Sequence, residues 1–273
     1  MLRGIYHSAA AMIAQQQKTE MLTNNLANIN TPGFKEDQAS LRSFPNMLIK
    51  AMDNSRRFPR SQIIGTMATG VYLQERMPNF TQGSLQETNN NTDLALIQGL
   101  VPINEETGLR GALLYVVQNE NGEVRYTRNG SLAVDGQGFL VTSEGYYLLD
   151  TNGNPILVGN EDFQVTREGF VINSQGVQIA QIDVAFAENP MLLVKEGNGL
   201  FRFDGEGELP SAVGNPEVTY QIQQGFIERS NVDAQKTMTE MLSAYRAFEA
   251  NQRVLQAYDR SLDKAVNEVG RVG

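Results

Sequence analysis

The sequence predicts an α+β protein: long N- and C-terminal helices pair as a coiled-coil-like assembly domain, with a central antiparallel all-β domain between them. Three observations predict this class: a seven-residue apolar repeat near the C-terminus, a weaker apolar stripe near the N-terminus, and regularly spaced glycines between β-rich segments. The predicted domains are residues 1–35 and 227–273 for the helices, 36–80 for an extended connector and 81–226 for the β-rich domain.

Composition restricts the classes of function. The 273 residues carry a net charge of −9, no cysteine and a single histidine, His7. We therefore expect no thiolate chemistry, no metal site built on Cys and His, no cofactor and no enzyme activity. An acidic chain without a Lys/Arg cluster is not expected to bind nucleic acid, and no apolar run is long enough to cross a bilayer. The N-terminus also lacks a cleavable signal peptide, so export would require another route.

Residues 2–29 are expected to form the first helix. Its apolar side chains fall near one stripe: Leu2, Ile5, Ala9, Met12, Leu22, Leu26 and Ile29. Pro32 and Gly33 predict that the helix ends by about Asn30. Four asparagines between residues 24 and 30 weaken the helix, and two explanations stay open. They serve capping and turn formation, or their amides bond to neighbouring subunits.

The next two segments differ in pattern. Residues 36–80 show no long periodicity and predict an extended connector, within which residues 45–52 allow a short helix. The middle segment predicts short antiparallel strands near residues 115–117, 138–142, 146–149 and 156–158. Between residues 177 and 186 apolar side chains alternate with polar ones, which predicts strands with one buried face. Four residue pairs are typical of tight hairpin turns: Asn121-Gly122, Asn129-Gly130, Asp135-Gly136 and Asn152-Gly153.

The C-terminal helix is the strongest signal. Ser230 is the expected N-cap, with Asp233 in the first turn. Steps of four and three residues select a predicted seam: Met241, Tyr245, Phe248, Gln252, Leu255, Asp259, Leu262, Val266 and Val269. A helix of about 39 residues is roughly 58 Å long, longer than a domain of this size is wide, so it needs partners outside its own domain. The polar members Gln252 and Asp259 are expected to face water or an arginine.

Several segments resemble the bacterial flagellar rod and hook axial proteins. Residues 24–28 (Asn-Asn-Leu-Ala-Asn) and 31–35 (Thr-Pro-Gly-Phe-Lys) are similar to the N-terminal signature of that family. Further similar blocks follow in order: residues 64–66, 70–71, 79–85, 92–96, 126–130, 138–142, 225–233 and 241–250. One departure is the segment 98–111, where the resemblance leads one to expect a short Gly-x-Gly-Phe-Phe strand. We expect a specialised surface there.

The resemblance, closest to the distal-rod branch, implies a structural subunit of the flagellar basal-body rod. Such a subunit polymerises through its terminal helices into an axial tube that transmits torque and carries exported subunits. The implied partners are copies of itself, other rod and hook axial proteins, and the flagellar type III export apparatus; the implied location is the extracytoplasmic basal body. The predicted assembly interface consists of Ile5, Met12, Leu22, Asn24, Asn25, Leu26, Asn28, Met241, Tyr245, Phe248, Leu255, Leu262 and Val266.

Three alternatives stay open at the level of sequence. One is a hook-type axial protein, and another is a secreted β-domain adhesin with an oligomerising helical stalk. The third is a hydrolase that acts on polysaccharide through two carboxylates held at a fixed separation, although no motif supports it.

Overall fold

The computed structural model describes residues 2–45, 47–52, 61–67, 70–105 and 107–267. The chain divides into two compact units. Unit 1 consists of Met1–Leu26, Asp37–Met77 and Asp233–Gly273, and unit 2 consists of Ala27–Glu36 and Pro78–Val232. Within the described residues, two terminal helices flank a central antiparallel β-rich region, which confirms the predicted α+β class.

Unit 1 contains both long helices, α1 (Leu2–Ala27) and α2 (Ala234–Asn267). α1 ends before Pro32, as the sequence predicts. The predicted seam residue Val269 lies outside the described part of the chain. No helix among the described residues is both long and apolar enough to cross a membrane.

The N-cap of α2 is Asp233 rather than Ser230. The Asp233 Oδ1 accepts hydrogen bonds from the N–H groups of Gln235 at 2.9 Å and Lys236 at 3.1 Å. The Ser230 hydroxyl instead accepts from the Val232 N–H at 3.3 Å, in a local turn before the helix. The prediction of Ser230 was wrong because both residues have a capping side chain, and only the backbone direction shows which one meets the first free N–H groups.

Unit 1 also contains a long two-stranded ribbon. Its strands are β1 (Asp37–Gln38), β2 (Leu41–Ser43), β3 (Met47–Met52), β4 (Ser61–Met67), β5 (Val71–Leu73) and β6 (Met77–Pro78). β1 pairs with β6, β2 with β5 and β3 with β4, and each pair forms a two-stranded sheet. One register continues from Leu41 opposite Leu73 to Ile49 opposite Gly65, and it shifts only at Lys50. The predicted connector therefore folds back on itself.

The short helix predicted at residues 45–52 is wrong, since β3 occupies 47–52. β4 provides hydrogen-bond partners for the backbone of this segment. A partner strand distant in the sequence thus outweighs the local preference for a helix. A two-stranded ribbon is marginally stable alone and needs a surface to pack on. α1 provides that surface at Gly70, where an added Cβ would lie 3.2 Å from the Cβ of Ala10. Arg76 adds a 3.4 Å hydrogen bond to the Gln17 carbonyl.

Unit 2 is built from fifteen further strands. They are β7 (Leu85–Glu87), β8 (Leu94–Gln98), β9 (Ala112–Gln118), β10 (Val124–Thr127), β11 (Leu132–Val134), β12 (Leu140–Thr142), β13 (Tyr147–Leu148), β14 (Gln164–Val165), β15 (Phe170–Ile172), β16 (Gln178–Gln181), β17 (Val184–Ala187), β18 (Leu193–Gly197), β19 (Leu200–Phe203), β20 (Tyr220–Gln224) and β21 (Phe226–Glu228). A 3₁₀ turn at Pro190–Leu192 precedes β18.

The largest sheet has the order β11-β12-β13-β9-β10-β19-β18, and β17 also pairs with β9. β14, β15 and β16 form a three-stranded sheet, while β20 pairs with β8 and β21 with β7. β9 is the central strand, because its alternate side chains enter two different hydrophobic clusters. Leu113 and Tyr115 enter one, and Leu114 and Val116 enter the other. Both faces of this sheet are therefore covered at its centre.

Two details of the predicted β pattern need correction. Ile182, Val184 and Phe186 are buried as predicted, but Val177 and Ile179 are exposed. In β17 all four residues are buried, so this strand has two buried faces rather than one. Its alanines pack in the second cluster, and small apolar residues are not distinguished from surface positions by alternation alone.

The predicted hairpin turns occur at three of the four pairs. Gly122 and Gly153 have positive φ angles of 81° and 77°, and Gly138 closes the turn that begins at Asp135. Asn129-Gly130 is not such a turn. A Cβ at Gly130 would lie 1.8 Å from the Leu94 carbonyl oxygen, so this glycine permits close approach of two backbones.

The segment between β8 and β9 forms a small irregular hairpin. Ile103 bridges to Arg110, and the Asn104 N–H donates to the Leu109 carbonyl at 2.9 Å. Leu100, Ile103 and Leu109 are all exposed. The departure noted in the sequence is thus a segment that carries exposed apolar side chains.

Candidate functional site

The inner stripe of α2 is the set of buried and half-buried positions on one face. It consists of Thr237, Met241, Ala244, Phe248, Asn251, Leu255, Tyr258, Leu262 and Ala265. These residues recur at steps of four and three, the period of a heptad. Four of them (Met241, Phe248, Leu255 and Leu262) belong to the predicted seam. The positions between these four lie one residue earlier than predicted. Ala244, for example, faces inward rather than Tyr245.

This shift explains the polar residues of the predicted seam. Gln252 and Asp259 are exposed in the chain, so neither carries the cost of dry burial. Tyr245 and Val266 are also exposed, at 55% and 71%. Spacing of three or four residues keeps a helical side chain near the same face, so the sequence pattern alone fits either register.

α1 and α2 contact each other at three places within unit 1. Lys18 Nζ lies 3.7 Å from Glu240 Oε2, and the Thr23 hydroxyl lies 3.8 Å from the Met241 sulfur. At the opposite end a Cβ on Gly4 would fall 2.2 Å from the Tyr258 hydroxyl. The two helices therefore run antiparallel within unit 1.

The predicted interface residues fall into three groups. Leu22 and Asn25 are buried within the chain. The half-buried members are Ile5, Met12, Leu26, Asn28, Met241, Phe248, Leu255 and Leu262. Asn24, Tyr245 and Val266 are exposed.

Asn25 has a role within the chain. Its amide Nδ2 donates to the Asp37 carbonyl at 2.9 Å, and its Oδ1 accepts from the Asp37 N–H at 3.0 Å. The side chain is 0% exposed. Asn28 also bonds locally, since the Thr31 hydroxyl donates to its Oδ1 at 3.2 Å. At Asn25 both amide groups bond within the chain, so of the two explanations for the asparagines a local role is favoured for this residue.

A second apolar surface of α2 is exposed. We define the outer face as Met238, Leu242 and Tyr245, which are 48%, 57% and 55% exposed. Their spacing of four and three residues places them on one side of the helix, next to the inner stripe. On α1, Tyr6 and Ile13 are similarly exposed, two turns apart. Clusters of this kind on a helix are typical of protein interfaces.

Unit 2 contains a buried ionic cluster that the sequence did not reveal. Lys35, Arg128 and Glu228 are 1%, 3% and 2% exposed. Glu228 Oε1 lies 2.6 Å from Lys35 Nζ, and Glu228 Oε2 lies 2.6 Å from Arg128 Nε. The Gly83 N–H also donates to Glu228 Oε1 at 2.8 Å. Lys35 and Glu228 each fall in a block that resembles the family signatures, and that was the one available signal.

Electrostatics in this cluster favour an ionised Glu228. Burial would raise the pKa of Glu228, but the charges of Arg128 and Lys35, with the hydrogen bonds from Lys35 and Gly83, lower it below its usual value. Burial and the charge of Arg128 lower the pKa of Lys35 from 10.5 to about 8, against the opposing effect of Glu228. The described residues contain no cluster of His, Cys, Asp and Glu suited to a metal ion.

Three protein-family models match successive parts of the chain. The model described as "Flagella basal body rod protein" matches residues 5–35. "Flagellar hook protein FlgE/F/G D1 domain" matches residues 109–191, and "Flagellar basal body rod FlgEFG protein C-terminal" matches residues 223–268. The first and third matches cover the helices and both signature blocks, and the second covers much of the largest sheet.

Curated relatives are similar over nearly the full length. The chain is 46% identical over 273 residues to the flagellar hook-basal body complex protein FlhO of Bacillus subtilis, with 100% of each chain covered. It is 30% identical to the flagellar basal-body rod protein FlgG of Agrobacterium fabrum, covering 94% of this chain and 96% of that protein. It is 29% identical to FlgG of Borreliella burgdorferi, with 98% of each chain covered. The chain therefore belongs to the flagellar basal-body rod and hook–basal body family, whose members are structural axial subunits and not enzymes.

Proposed function

We propose that this protein is a subunit of the flagellar basal-body rod that polymerises through its terminal helices. The assembled helices form an axial tube that transmits torque and carries exported subunits. The observation that carries this proposal is the outer face of α2. Its three large apolar side chains are about half exposed in the single chain, beside an inner stripe that already packs within unit 1.

Contacts between subunits gain free energy from burial of the outer face. Complete burial of one large apolar side chain stabilises an interface by roughly 1.5–3 kcal/mol. The contribution recurs in every subunit of a helical assembly, so even half-exposed residues add substantial stability. Heterologous contacts, in which different surfaces of neighbouring copies meet, generate a filament when the rotation does not close. Separate inner and outer surfaces on one helix suit such an assembly.

Three further properties belong to this function: the pairing of the helices, the partners and the route of export. α1 and α2 pair as a coiled-coil-like element, supported by their antiparallel contacts and by the heptad period of the inner stripe. The predicted interface residues belong to this element, and Asn28 directly follows α1. Partners are further copies and other axial proteins of the rod and hook, as the names of the relatives suggest. Export proceeds through the flagellar type III apparatus to the extracytoplasmic basal body, without a cleaved signal peptide.

A hook-type axial protein is the second candidate. It is favoured by the match of residues 109–191 to a domain that rod and hook proteins share. The secreted adhesin receives no support from the relatives, all of which carry flagellar names. Rod and hook subunits differ in where they lie along the axis, so localisation separates them.

The test uses Leu242→Asp in cells that lack the native copy. We expect the variant to be made and exported, but to fail to enter basal bodies, because a charge replaces the centre of the outer face. Ser243→Asp is the matched control, since Ser243 is exposed on a different side of the same helix. Electron microscopy and immunoblotting of purified hook–basal bodies provide the measurement.

The outcomes separate the candidates. Basal bodies of normal length and composition with Leu242→Asp would refute assembly through this face. Antibody labelling of wild-type particles along the hook, rather than within the rod, would favour the second candidate. Retention of normal flagella by cells without any copy would refute both.

A further inference from the structure

The segment that follows α1 belongs to unit 2 and packs against the end of its last strand. The Gly33 N–H donates to the Glu228 carbonyl at 2.8 Å, and the Glu36 N–H donates to Asn231 Oδ1 at 2.7 Å. Lys195 Nζ donates to the Lys35 carbonyl at 2.6 Å and lies 4.2 Å from the centre of the Phe34 ring. Residues 33–36 are thus held at almost every position.

Gly33 shows how tight this docking is. Its φ of +68° is in the left-handed region, and a Cβ would lie 2.4 Å from the backbone of Arg128. Two requirements, the turn and the close approach, therefore meet at one residue. The position of a glycine in the Thr-Pro-Gly-Phe-Lys signature follows from this contact.

We propose that Arg128 and Glu228 form a fixed receptor for the Lys35 ammonium, and that this contact is a latch. The latch fastens the segment after α1 to the strand that leads toward α2. It is a positioning device: residues 33–36 are fixed beside residues 228–231, so the two ends at which the chain leaves unit 2 lie side by side. Lys35 is the removable member, and Arg128 and Glu228 keep their positions without it.

The anchoring of Arg128 supports this division of roles. Its Nη1 donates to the Leu113 carbonyl at 2.7 Å, and its Nη2 donates to the Leu96 carbonyl at 2.6 Å. Leu113 lies in β9 and Leu96 lies in β8, so both acceptors belong to strands of unit 2. Arg128 thus keeps its backbone partners and its bond to Glu228 whether or not Lys35 is present. Lys35 has one further acceptor in unit 2, the Thr81 carbonyl at 2.8 Å.

The charges of the cluster support the same division of roles independently. Two cations surround a single carboxylate, so the buried cluster carries one excess positive charge. Removal of Lys35 leaves a balanced Arg128–Glu228 pair, which a protein interior tolerates. Removal of the Glu228 charge leaves two buried cations without a counterion, which is strongly destabilising. Loss of the two partners therefore has different consequences.

The latch has a consequence for assembly, and this step rests on the proposed function. Residues 33–36 follow α1 closely, and residues 228–231 precede α2 closely. Holding them together raises the effective concentration of one helix segment for the other. A subunit with an open latch would keep a folded unit 2 and pair its terminal helices less efficiently.

The test uses the full-length, unassembled chain, so its result does not depend on polymerisation. Hydrogen exchange is followed at the Gly33 and Glu36 amides, which report the latch, and at amides of β9, which report the fold of unit 2. In Lys35→Met we expect exchange at the two latch amides to accelerate by roughly tenfold or more, because charge-assisted bonds hold the segment. Protection in β9 should remain. Lys264→Met, at an exposed position of α2, is the control and should change neither.

Glu228→Gln supplies the second arm. We expect it to lose protection at the latch amides and in β9 together, because it leaves the two cations unbalanced. Unchanged exchange at Gly33 and Glu36 in Lys35→Met would overturn the latch. Loss of β9 protection in the same variant would also overturn it, since Lys35 would then be part of the core and not a removable member. If Lys35→Met opens the latch as expected and basal bodies still form normally, the latch is supported and only its consequence for assembly is refuted.

Discussion

At the scale of single residues, Lys35 and Asn25 show how the role of a polar side chain is determined by its surroundings in the fold. Lys35 carries its charge into an almost fully buried site, where Glu228 and the Thr81 carbonyl accept its hydrogen bonds. A buried ammonium is costly unless it is paired, and Glu228 is already paired with Arg128. The neutral amine can make the same hydrogen bonds, so the latch does not require the charge at high pH.

This gives a prediction for the dependence of stability on pH. The pKa of Lys35 is about 8 in the folded chain, against 10.5 for an ordinary lysine. Between these values the unfolded chain binds more protons than the folded chain, so the free energy of unfolding rises with pH; below about pH 8 the contribution is constant. We expect the stability of the wild type to increase relative to Lys35→Met between pH 8 and 9.5, as measured by urea unfolding of both proteins.

The difference between the two proteins is the informative quantity. Burial raises the pKa values of Tyr115, Tyr126 and Tyr220, which reduces stability as pH rises through the range where free tyrosines ionise. That effect is common to both proteins and cancels. If the difference in free energy of unfolding between the wild type and Lys35→Met falls or stays constant as pH rises, the assignment of a lowered pKa to Lys35 is contradicted.

At the scale of elements, the ribbon and α1 depend on each other. The ribbon has two strands and needs a packing surface, and α1 provides it through Ala10, Gln17 and Asn25. Asn25 makes the most specific of these contacts, because its amide imitates a neighbouring strand and pairs with both backbone groups of Asp37. The helix therefore positions the first residue of the ribbon.

We predict that Asn25→Ala detaches the base of the ribbon from α1. The change leaves the Asp37 N–H and carbonyl without their partner, which costs about 1–3 kcal/mol where the groups stay buried. Hydrogen exchange at the Asp37 amide and limited proteolysis between residues 37 and 45 should both increase. Gln16→Ala is the control, because the exposed Gln16 amide bonds to Glu20 of the same helix. Equal protection in the two variants would show that Asn25 does not hold the ribbon.

At the scale of the whole molecule, the two units differ in how they bury apolar surface. Unit 2 has two hydrophobic clusters on the two faces of its largest sheet. In unit 1, α2 has two fully buried side chains, Thr237 and Ala244, among 34 residues. We expect a helix with so little burial to gain further stability from contacts with other chains.

We predict that the free monomer has a protected middle and cleavable ends. Limited proteolysis of protein that is monomeric by light scattering should remove both terminal segments and leave a fragment centred on Pro78–Val232. Incorporation into basal bodies should protect the same sites, because neighbouring subunits cover the helices. Recovery of the intact chain from the monomer, under conditions that digest an unstructured control, would contradict this expectation.

Local patterns were sufficient for much of the architecture. The heptad period of α2, the breakers Pro32 and Gly33, and the Asn-Gly turns at residues 121 and 152 act over a few neighbouring residues, so the sequence by itself determined the two helices and the β-rich middle. The absence of cysteine and the single histidine likewise determined which chemistries are excluded. Signature blocks at both ends then indicated the family, which the relatives confirm.

Only the tertiary structure decided which side chains meet. Lys35 and Glu228 are 193 positions apart, and no periodicity connects them. The strand at 47–52 depends on a partner strand further along the chain, and the choice of Ala244 over Tyr245 depends on where α1 lies. The burial of Asn25 depends on the ribbon that returns to it. In each case the deciding energy comes from desolvation and pairing between distant residues, which exist only once the chain has folded.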